Sequence, residues 1–224
     1  MILNIETFSC NCICESYNID GYMSACNPFS YQFQSGVYIL QGEIDCGAWA
    51  FASSISEYCK NKRIFFPESK IYINNESQEE KAALLACYIH QKPSKISHLN
   101  TLYSAIKKSV EKYHFSITPD ELISVFGIPT EYINRKLYTL GQYYYAYIAM
   151  DGLIKGHKIF TTAWIGHYGF EDFILQKIVN ALLRFDCILI IPSSTQNKFS
   201  FPATTIPMNS LFNDCVLRER YSGN

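Results

Sequence analysis

Apolar positions change their spacing several times along the chain, and each change marks an element. From Met1 to Tyr38 aromatic and β-branched residues are dense, with breaks at Asn27-Pro28 and Ser35-Gly36. That pattern predicts several short strands and turns of an antiparallel edge sheet. Val37-Tyr38-Ile39-Leu40 is a continuous apolar run closed by Gly42, as expected of a buried strand. From Ala48 to about Lys60 the period becomes helical, with Trp49, Ala52, Ile55, Ser56 and Cys59 on one face. Lys70 to Asn74 reads as a strand turned by Asn74-Asn75, and a further apolar run spans Leu84 to Ile89.

A helical block follows. Leu99 to Tyr113 carries Leu102, Ile106 and Val110 at helical spacing. Thr118-Pro119-Asp120-Glu121 opens the next helix, with Thr118 as N-cap, Pro119 at the first helical position and Glu121 closing a capping box, and Gly127 stops it. Another helix is expected from about Gly141 to Leu153. Beyond it come a β-type run from Ile159 to Trp164, an amphipathic helix from Glu171 to Phe185, and an apolar strand from Cys187 to Ile191 ended by Pro192. Strands alternating with helices predict an α/β core with a parallel component, interrupted by a helical insertion from about Leu99 to Gly152. No internal repeat or low-complexity linker divides it.

The 224 residues are 48% hydrophobic and 15% aromatic but only 17% charged, enough to bury one large core and too apolar for disorder. A net charge of -1 leaves no basic footprint for nucleic acid. The charge is unevenly spread. No Lys or Arg precedes Lys60, and the acids before it are Glu6, Glu15, Asp20, Glu43, Asp45 and Glu57. The start MILNIETFSC lacks a cationic flank and an apolar stretch, so no signal peptide is expected, and no run is long enough for a membrane span. The odd count of nine cysteines is read as reduced, mostly buried thiols of a cytosolic protein.

Candidate chemistry begins where the Val37–Leu40 strand ends. Gly42-Glu43-Ile44-Asp45-Cys46-Gly47-Ala48-Trp49 matches a phosphate-binding loop, G-x-x-x-x-G-K-[ST], at both glycines and in its setting between strand and helix. Ala48 stands at the lysine position and Trp49 at the hydroxyl position. Each lost ionic contact removes roughly 1.5 to 3 kcal/mol of grip on a phosphate, and Glu43 and Asp45 repel an anion. Further on, Tyr88-Ile89-His90-Gln91-Lys92-Pro93 is a strand end followed by Gln91, and Tyr138-Thr139-Leu140-Gly141-Gln142 leads into an aromatic helix containing Tyr143, Tyr144, Tyr145 and Tyr147. The run Lys158 to Trp164 ends at Ala163-Trp164, and the strand to Ile191 is followed by Pro192-Ser193-Ser194.

In this order, from about residue 15 to 215, these features resemble the ATP-binding cassette family, the nucleotide-binding subunits of ABC transporters. The resemblance implies a P-loop NTPase-like α/β core sheet flanked by helices, formed by residues 1–98 and 153–224, with N-terminal antiparallel strands and an inserted helical subdomain at 99–152. It implies that Gly42, Glu43, Asp45, Cys46, Gly47, Ala48 and Trp49 form a degenerate P-loop and that Gln91 is the Q-loop residue. Thr139, Leu140, Gly141 and Gln142 become a partial signature, with Glu121 to Ile128 like the stretch before it. Ala163 and Trp164 stand where the Walker B strand should end in two acids, and the segment with Ser193 lacks the switch histidine. The family's ligands are ATP and Mg²⁺; with these side chains lost, at most weak ATP/Mg²⁺ binding is implied and no residue is assigned a catalytic role. The implied partners are an intact cassette subunit, a membrane permease or a second copy, at the cytoplasmic face of a membrane, in export or immunity. Two alternatives stand beside this reading: an active ATPase in which Lys60, Lys62 or Arg63 replaces the missing lysine, and an unrelated α/β domain that binds a small molecule or metal.

The remaining clusters read as structural. Cys10, Cys12 and Cys14 share a strand face without a fourth ligand or C-x₂-C spacing. His90, His98, His114, His157 and His167 show no metal-ligand spacing, and His167 is the one nearest a strand end. The tyrosines of the 143–147 helix read as an aromatic packing surface, and Tyr22 is a possible stacking aromatic.

Overall fold

A computed structural model describes residues 1–13, 23–43, 46–56, 63–65, 69–78, 85–90, 100–165 and 172–208. Strands β1 (Ile2–Ile13) and β2 (Met23–Gln34) pair antiparallel, from Ile2 opposite Gln34 to Ile13 opposite Met23. The sequence predicts several short strands here; two long ones form, because the chain absorbs its irregularities as bulges. Asn27 and Pro28 together face a single residue of β1, so the proline costs no ladder hydrogen bond. A second bulge lies at Glu6-Thr7, where Thr7 takes a positive φ of 47° and its amide donates to Ser30 Oγ at 2.9 Å.

After Ser35 the chain enters β3 (Gly36–Gly42) and then α1 (Ala48–Ser54). The helix is shorter than its hydrophobic period suggests. Ser54 Oγ donates to the Ala50 carbonyl and Ser56 Oγ to the Ser53 carbonyl, and Ser56 already bridges Ala86 as extended chain. Serine hydroxyls competing for backbone carbonyls favour this early exit. β4 (Arg63–Phe65), β5 (Lys70–Ile73) and β6 (Glu76–Ser77) complete the antiparallel sheet, in the order β2-β1-β5-β6 with β4 also on β1. Asn74 and Asn75 both take positive φ, 50° and 70°, which is the tight hairpin turn their sequence announces.

β7 (Ala86–Tyr88) leads to the helices: α2 (Leu102–Tyr113), α3 (Pro119–Val125), α4 (Thr130–Ile133), a 3₁₀ turn at Leu137–Thr139, and α5 (Tyr143–Ile154). Thr118 and Glu121 form the expected capping box, with Pro119 in the first turn and Gly127 in the left-handed region at φ 58°. Then come β8 (Ile159–Thr161), α6 (Asp172–Leu183), β9 (Ile188–Ser194) and β10 (Thr204–Pro207). The second sheet runs β10-β3-β9-β8-β7, with every pairing parallel. β9 does not stop at Pro192. The Pro192 carbonyl accepts from the Ile165 amide, so Pro192 faces the chain just beyond the end of β8.

Both faces of the parallel sheet are covered. Tyr38, Leu40, Ala86, Ile159, Ile188 and Ile190 point into an inner core shared with α1 and with Leu3, Ile5, Phe33 and Ile71 of the antiparallel sheet. Val37, Cys87, Phe160, Leu189 and Ile191 point the other way, into an outer core made with α2, α3, α5 and α6. The period of two thus sorts neighbours on one strand into different layers. α1 lies inside the inner core with all seven residues buried. Phe51, fully buried, stands 5.3 Å from the Phe29 ring and 6.0 Å from the Phe33 ring. Phe51→Ala is therefore expected to destabilise the protein by about 3–5 kcal/mol in urea unfolding; a loss near 1 kcal/mol would mean that α1 does not hold the two sheets together.

Candidate functional site

The Gly42–Trp49 turn lies at the carboxyl end of β3, beside the ends of β9 and β8, the edge at which open α/β sheets bind ligands. Gly42 is required by packing. A Cβ there would lie 2.5 Å from the Met208 carbonyl oxygen and 2.6 Å from the Cys46 side chain. Cys46 is 3% exposed, its amide donates to the Glu43 carbonyl at 3.1 Å, and Met208 N–H reaches the Gln41 carbonyl at 2.8 Å. Gly47 supplies a left-handed residue, φ 84° and ψ -8°, at the N-cap of α1, which no side chain caps. Ala48 is fully buried and Trp49 is 9% exposed, both in the inner core. Glu43 is exposed and accepts a hydrogen bond from the Thr195 hydroxyl at 3.1 Å. Asp45 lies outside the described residues.

The neighbouring strand ends are tied to one another by neutral groups. Gln41 Nε2 donates to the Ser194 carbonyl at 3.2 Å. Ser193, fully buried, donates to the Ile165 carbonyl at 3.0 Å and accepts from Asn197 Nδ2 at 2.8 Å. Ala163 and Trp164 follow the end of β8. The Ala163 amide donates to His90 Nδ1 at 3.1 Å, and half-buried Trp164 packs against the inner core. Neither side chain offers an oxygen to a metal ion. Gln91 lies outside the described residues, but His90 before it is placed: its ring centroid is 4.5 Å from that of Tyr145 on α5. Burial lowers the His90 pKa to about 4, so the ring is neutral at pH 7 and its Nδ1 can accept.

The signature-like segment belongs to the other face of the sheet. Thr139 ends the 3₁₀ turn with its hydroxyl on the Lys136 carbonyl, and Leu140 is 2% exposed in the outer core. Gly141 takes φ 57° on the surface with open space around it, and Gln142 is the N-cap of α5. Within one chain, the turn and this segment are thus built into different cores. The tyrosines beyond it pack against other rings of the chain, buried only at Tyr144: Tyr143 lies 4.3 Å from Tyr132 and 6.1 Å from Phe173, and Tyr144 lies 5.6 Å from Tyr147.

Cys10 and Cys12 sit on β1 opposite Cys26 and Ser24; Cys14 and Tyr22 lie outside the described residues, as do His98, His167, Lys60 and Lys62. Arg63 opens β4, opposite Cys12. Among the described residues no group of three His, Cys, Asp or Glu is placed to hold a metal ion. The Met208 contact carries no signal in the sequence, because Met208 lies far along the chain from Gly42, which it packs against.

Solved structures share this arrangement. An ABC transporter ATP-binding protein from Pyrococcus furiosus matches 93% of this chain and 98% of its own, with a TM-score of 0.62 and 13% identity. A nucleotide-free ATP-binding cassette from an ABC transporter matches 87% of this chain and 81% of its own, with a TM-score of 0.56 and 12% identity. The ADP conformation of another such cassette gives 88% and 82%, a TM-score of 0.55 and 12% identity. The fold is that of an ATP-binding cassette. No protein-family model matches the chain, and no curated protein matches it in sequence. At identities of 11 to 13% the likeness is one of fold, and the side chains at the cassette's turn must be judged by their own chemistry.

His90 gives a direct test of how the strand ends are held. Its folded pKa of about 4 lies below the ordinary 6.5, so between those values the unfolded chain binds more protons. Stability is therefore full above about pH 6.5, falls on acidification and levels off near pH 4, by at most about 3 kcal/mol. His90→Asn keeps an acceptor for the Ala163 amide but does not titrate, so its urea-unfolding free energy is expected to vary less over this window. Equal pH dependence in the two proteins would remove His90 as the cause.

Proposed function

We propose that this chain is a degenerate ATP-binding cassette subunit that does not hydrolyse ATP and acts through a partner. The observation that carries the reading is the fate of Ala48 and Trp49. The two positions that would hold the phosphate lysine and the Mg²⁺ hydroxyl send their side chains into the apolar core. At the end of β8, Ala163 and Trp164 supply no carboxylate to organise Mg²⁺ or an attacking water. In β9, Ser193 is engaged with Ile165 and Asn197. α1 itself is under two turns long, and the dipole of so short a helix attracts an anion only weakly.

In this reading residues 1–98 and 153–224 form the core and 99–152 an inserted helical subdomain. Its support is that α2 to α5 fall between β7 and β8, which are adjacent parallel strands. Thr139, Leu140, Gly141 and Gln142 act as a partial signature offered to an intact cassette, and the subunit docks with that cassette or with a permease from the cytoplasmic side, in export or immunity. Among the described residues no helix is long and apolar enough to cross a membrane, so membrane attachment would come through the partner.

Two measurements test the proposal. Titration calorimetry with Mg-ATP is expected to show at most weak heat at millimolar nucleotide, and phosphate release is expected to match the buffer blank. Turnover above the blank would sink the non-hydrolysing reading and favour the rival in which a lysine or arginine elsewhere grips the phosphates. Native purification from the source cell is expected to bring down an intact cassette subunit or a polytopic membrane protein; recovery with neither would remove the partner role.

A further inference from the structure

Cys10 on β1 and Cys26 on β2 are direct partners in the antiparallel register, followed by Asn11 with Ala25 and Cys12 with Ser24. The sequence groups Cys10 with Cys12 and Cys14, whereas strand pairing sets it against a cysteine of the next strand. Directly opposed residues of an antiparallel pair have Cα atoms about 4.5 Å apart, or about 5.5 Å where the pair is hydrogen-bonded. A disulfide needs a Cα separation of about 4.4–6.8 Å, so either kind of pair can be bridged with the backbone where it is. Register also decides against the rivals. Cys12 is displaced by two residues from Cys26, a diagonal of about 7–8 Å, and stands about 7 Å from Cys10 along the strand. Both separations lie at or beyond the limit for a bridge.

A cation belongs to the same face. β4 pairs with β1 on its other side, with Arg63 opposite Cys12 and Phe65 opposite Cys10. Arg63 is thus a diagonal neighbour of Cys10, a separation that long side chains span. An adjacent guanidinium lowers the pKa of a thiol and raises its thiolate fraction. The opposite holds for the cysteines of the two cores. Cys46, Cys87 and Cys187 are buried free thiols, and burial pushes the Cys187 thiol up to about 11.

We propose that Cys10 and Cys26 are a reversible redox pair that closes to a cross-strand disulfide, with Arg63 favouring the Cys10 thiolate and a low-molecular-weight disulfide such as oxidised glutathione as the oxidant. The Cys10 thiolate attacks one sulfur of that molecule, forming a mixed disulfide and releasing one thiolate. The Cys26 thiolate then attacks the Cys10 sulfur, forming the Cys10–Cys26 bond and releasing the second. The two protons lost by the cysteines end on the two released thiols, which have taken the two electrons. The bond fastens β2 just beyond the Asn27-Pro28 bulge, where the ladder is locally interrupted. The pair uses no residue of the Gly42–Trp49 turn or of the Thr139–Gln142 segment, so it stands or falls separately from the cassette reading.

The test is to reduce the full chain, equilibrate it with mixtures of reduced and oxidised glutathione, alkylate the remaining thiols and map the peptides by mass spectrometry. The main cross-link should join Cys10 to Cys26, reverse with dithiothreitol, vanish in Cys26→Ser and persist in Cys12→Ser. Oxidation in urea, where the register is gone, should lose this preference. In the oxidised protein, hydrogen exchange at the Met23–Cys26 amides should slow relative to the reduced form. Arg63→Gln should slow mixed-disulfide formation at Cys10 by roughly threefold, since a higher thiol pKa cuts the thiolate fraction more than it raises nucleophilicity. Cys26 joined to Cys12 or to another chain, or no disulfide within the chain in oxidised glutathione, would overturn the pairing. A rate indifferent to Arg63→Gln would overturn the assignment of Arg63.

Discussion

All seven residues of α1 are buried, and this is possible only because the two sheets close on it from opposite sides. Phe51 reaches the aromatic stripe of β2, while the helix also lies over β9. A segment in this position can carry no charge without a buried partner, since an unpaired buried ion costs several kcal/mol. The sequence Ala-Trp-Ala-Phe-Ala-Ser-Ser meets that demand with small and aromatic residues alone. The layer that joins the molecule is thus the layer in which a phosphate-binding lysine would have to begin.

The same constraint shapes the strand ends around it. Where three parallel strands finish side by side, the exposed backbone needs partners, and here neutral side chains supply them. Ser193, Asn197 and Gln41 close β9 onto its neighbours, and His90 closes β7 onto the chain after β8. His90 also abuts Tyr145, so the outer helical layer is coupled to the carboxyl edge of the sheet by one neutral ring. Desolvation keeps that ring unprotonated, which is the state its acceptor role requires.

What could be read from the chain was mostly what local chemistry decides. Thr118, Pro119 and Glu121 fix a helix start by short-range hydrogen bonds, and Asn74-Asn75 fixes a hairpin because both residues tolerate positive φ. The apolar run Val37–Leu40 marks a strand covered on both faces. The misreadings concern features decided at a distance. Pro192 ends an apolar run but not β9, because β9 continues to pair with β3 and with Ile165 beyond the end of β8. α1 stops early because Ser54 and Ser56 turn their hydroxyls onto its backbone and Ser56 itself bridges Ala86 of β7. β10 escapes notice because Thr204-Thr205-Ile206-Pro207 has little hydrophobic pattern, its strand character coming from parallel pairing with β3.

The P-loop-like turn is the case in which pattern and chemistry part. Its two glycines are the residues that match a phosphate-binding loop, yet each has a sufficient cause inside this protein. Gly42 makes room for Cys46 and the Met208 carbonyl, where any Cβ would collide with both. Gly47 holds a left-handed backbone that turns the chain into α1. Neither cause involves a phosphate, so the glycines speak for the path of the backbone. Chemistry has to be read from the side chains at the next two positions, and Ala48 and Trp49 are packed as core residues. A turn can therefore have the outline of a nucleotide site for reasons of packing alone, since it also has to connect a buried strand to a buried helix.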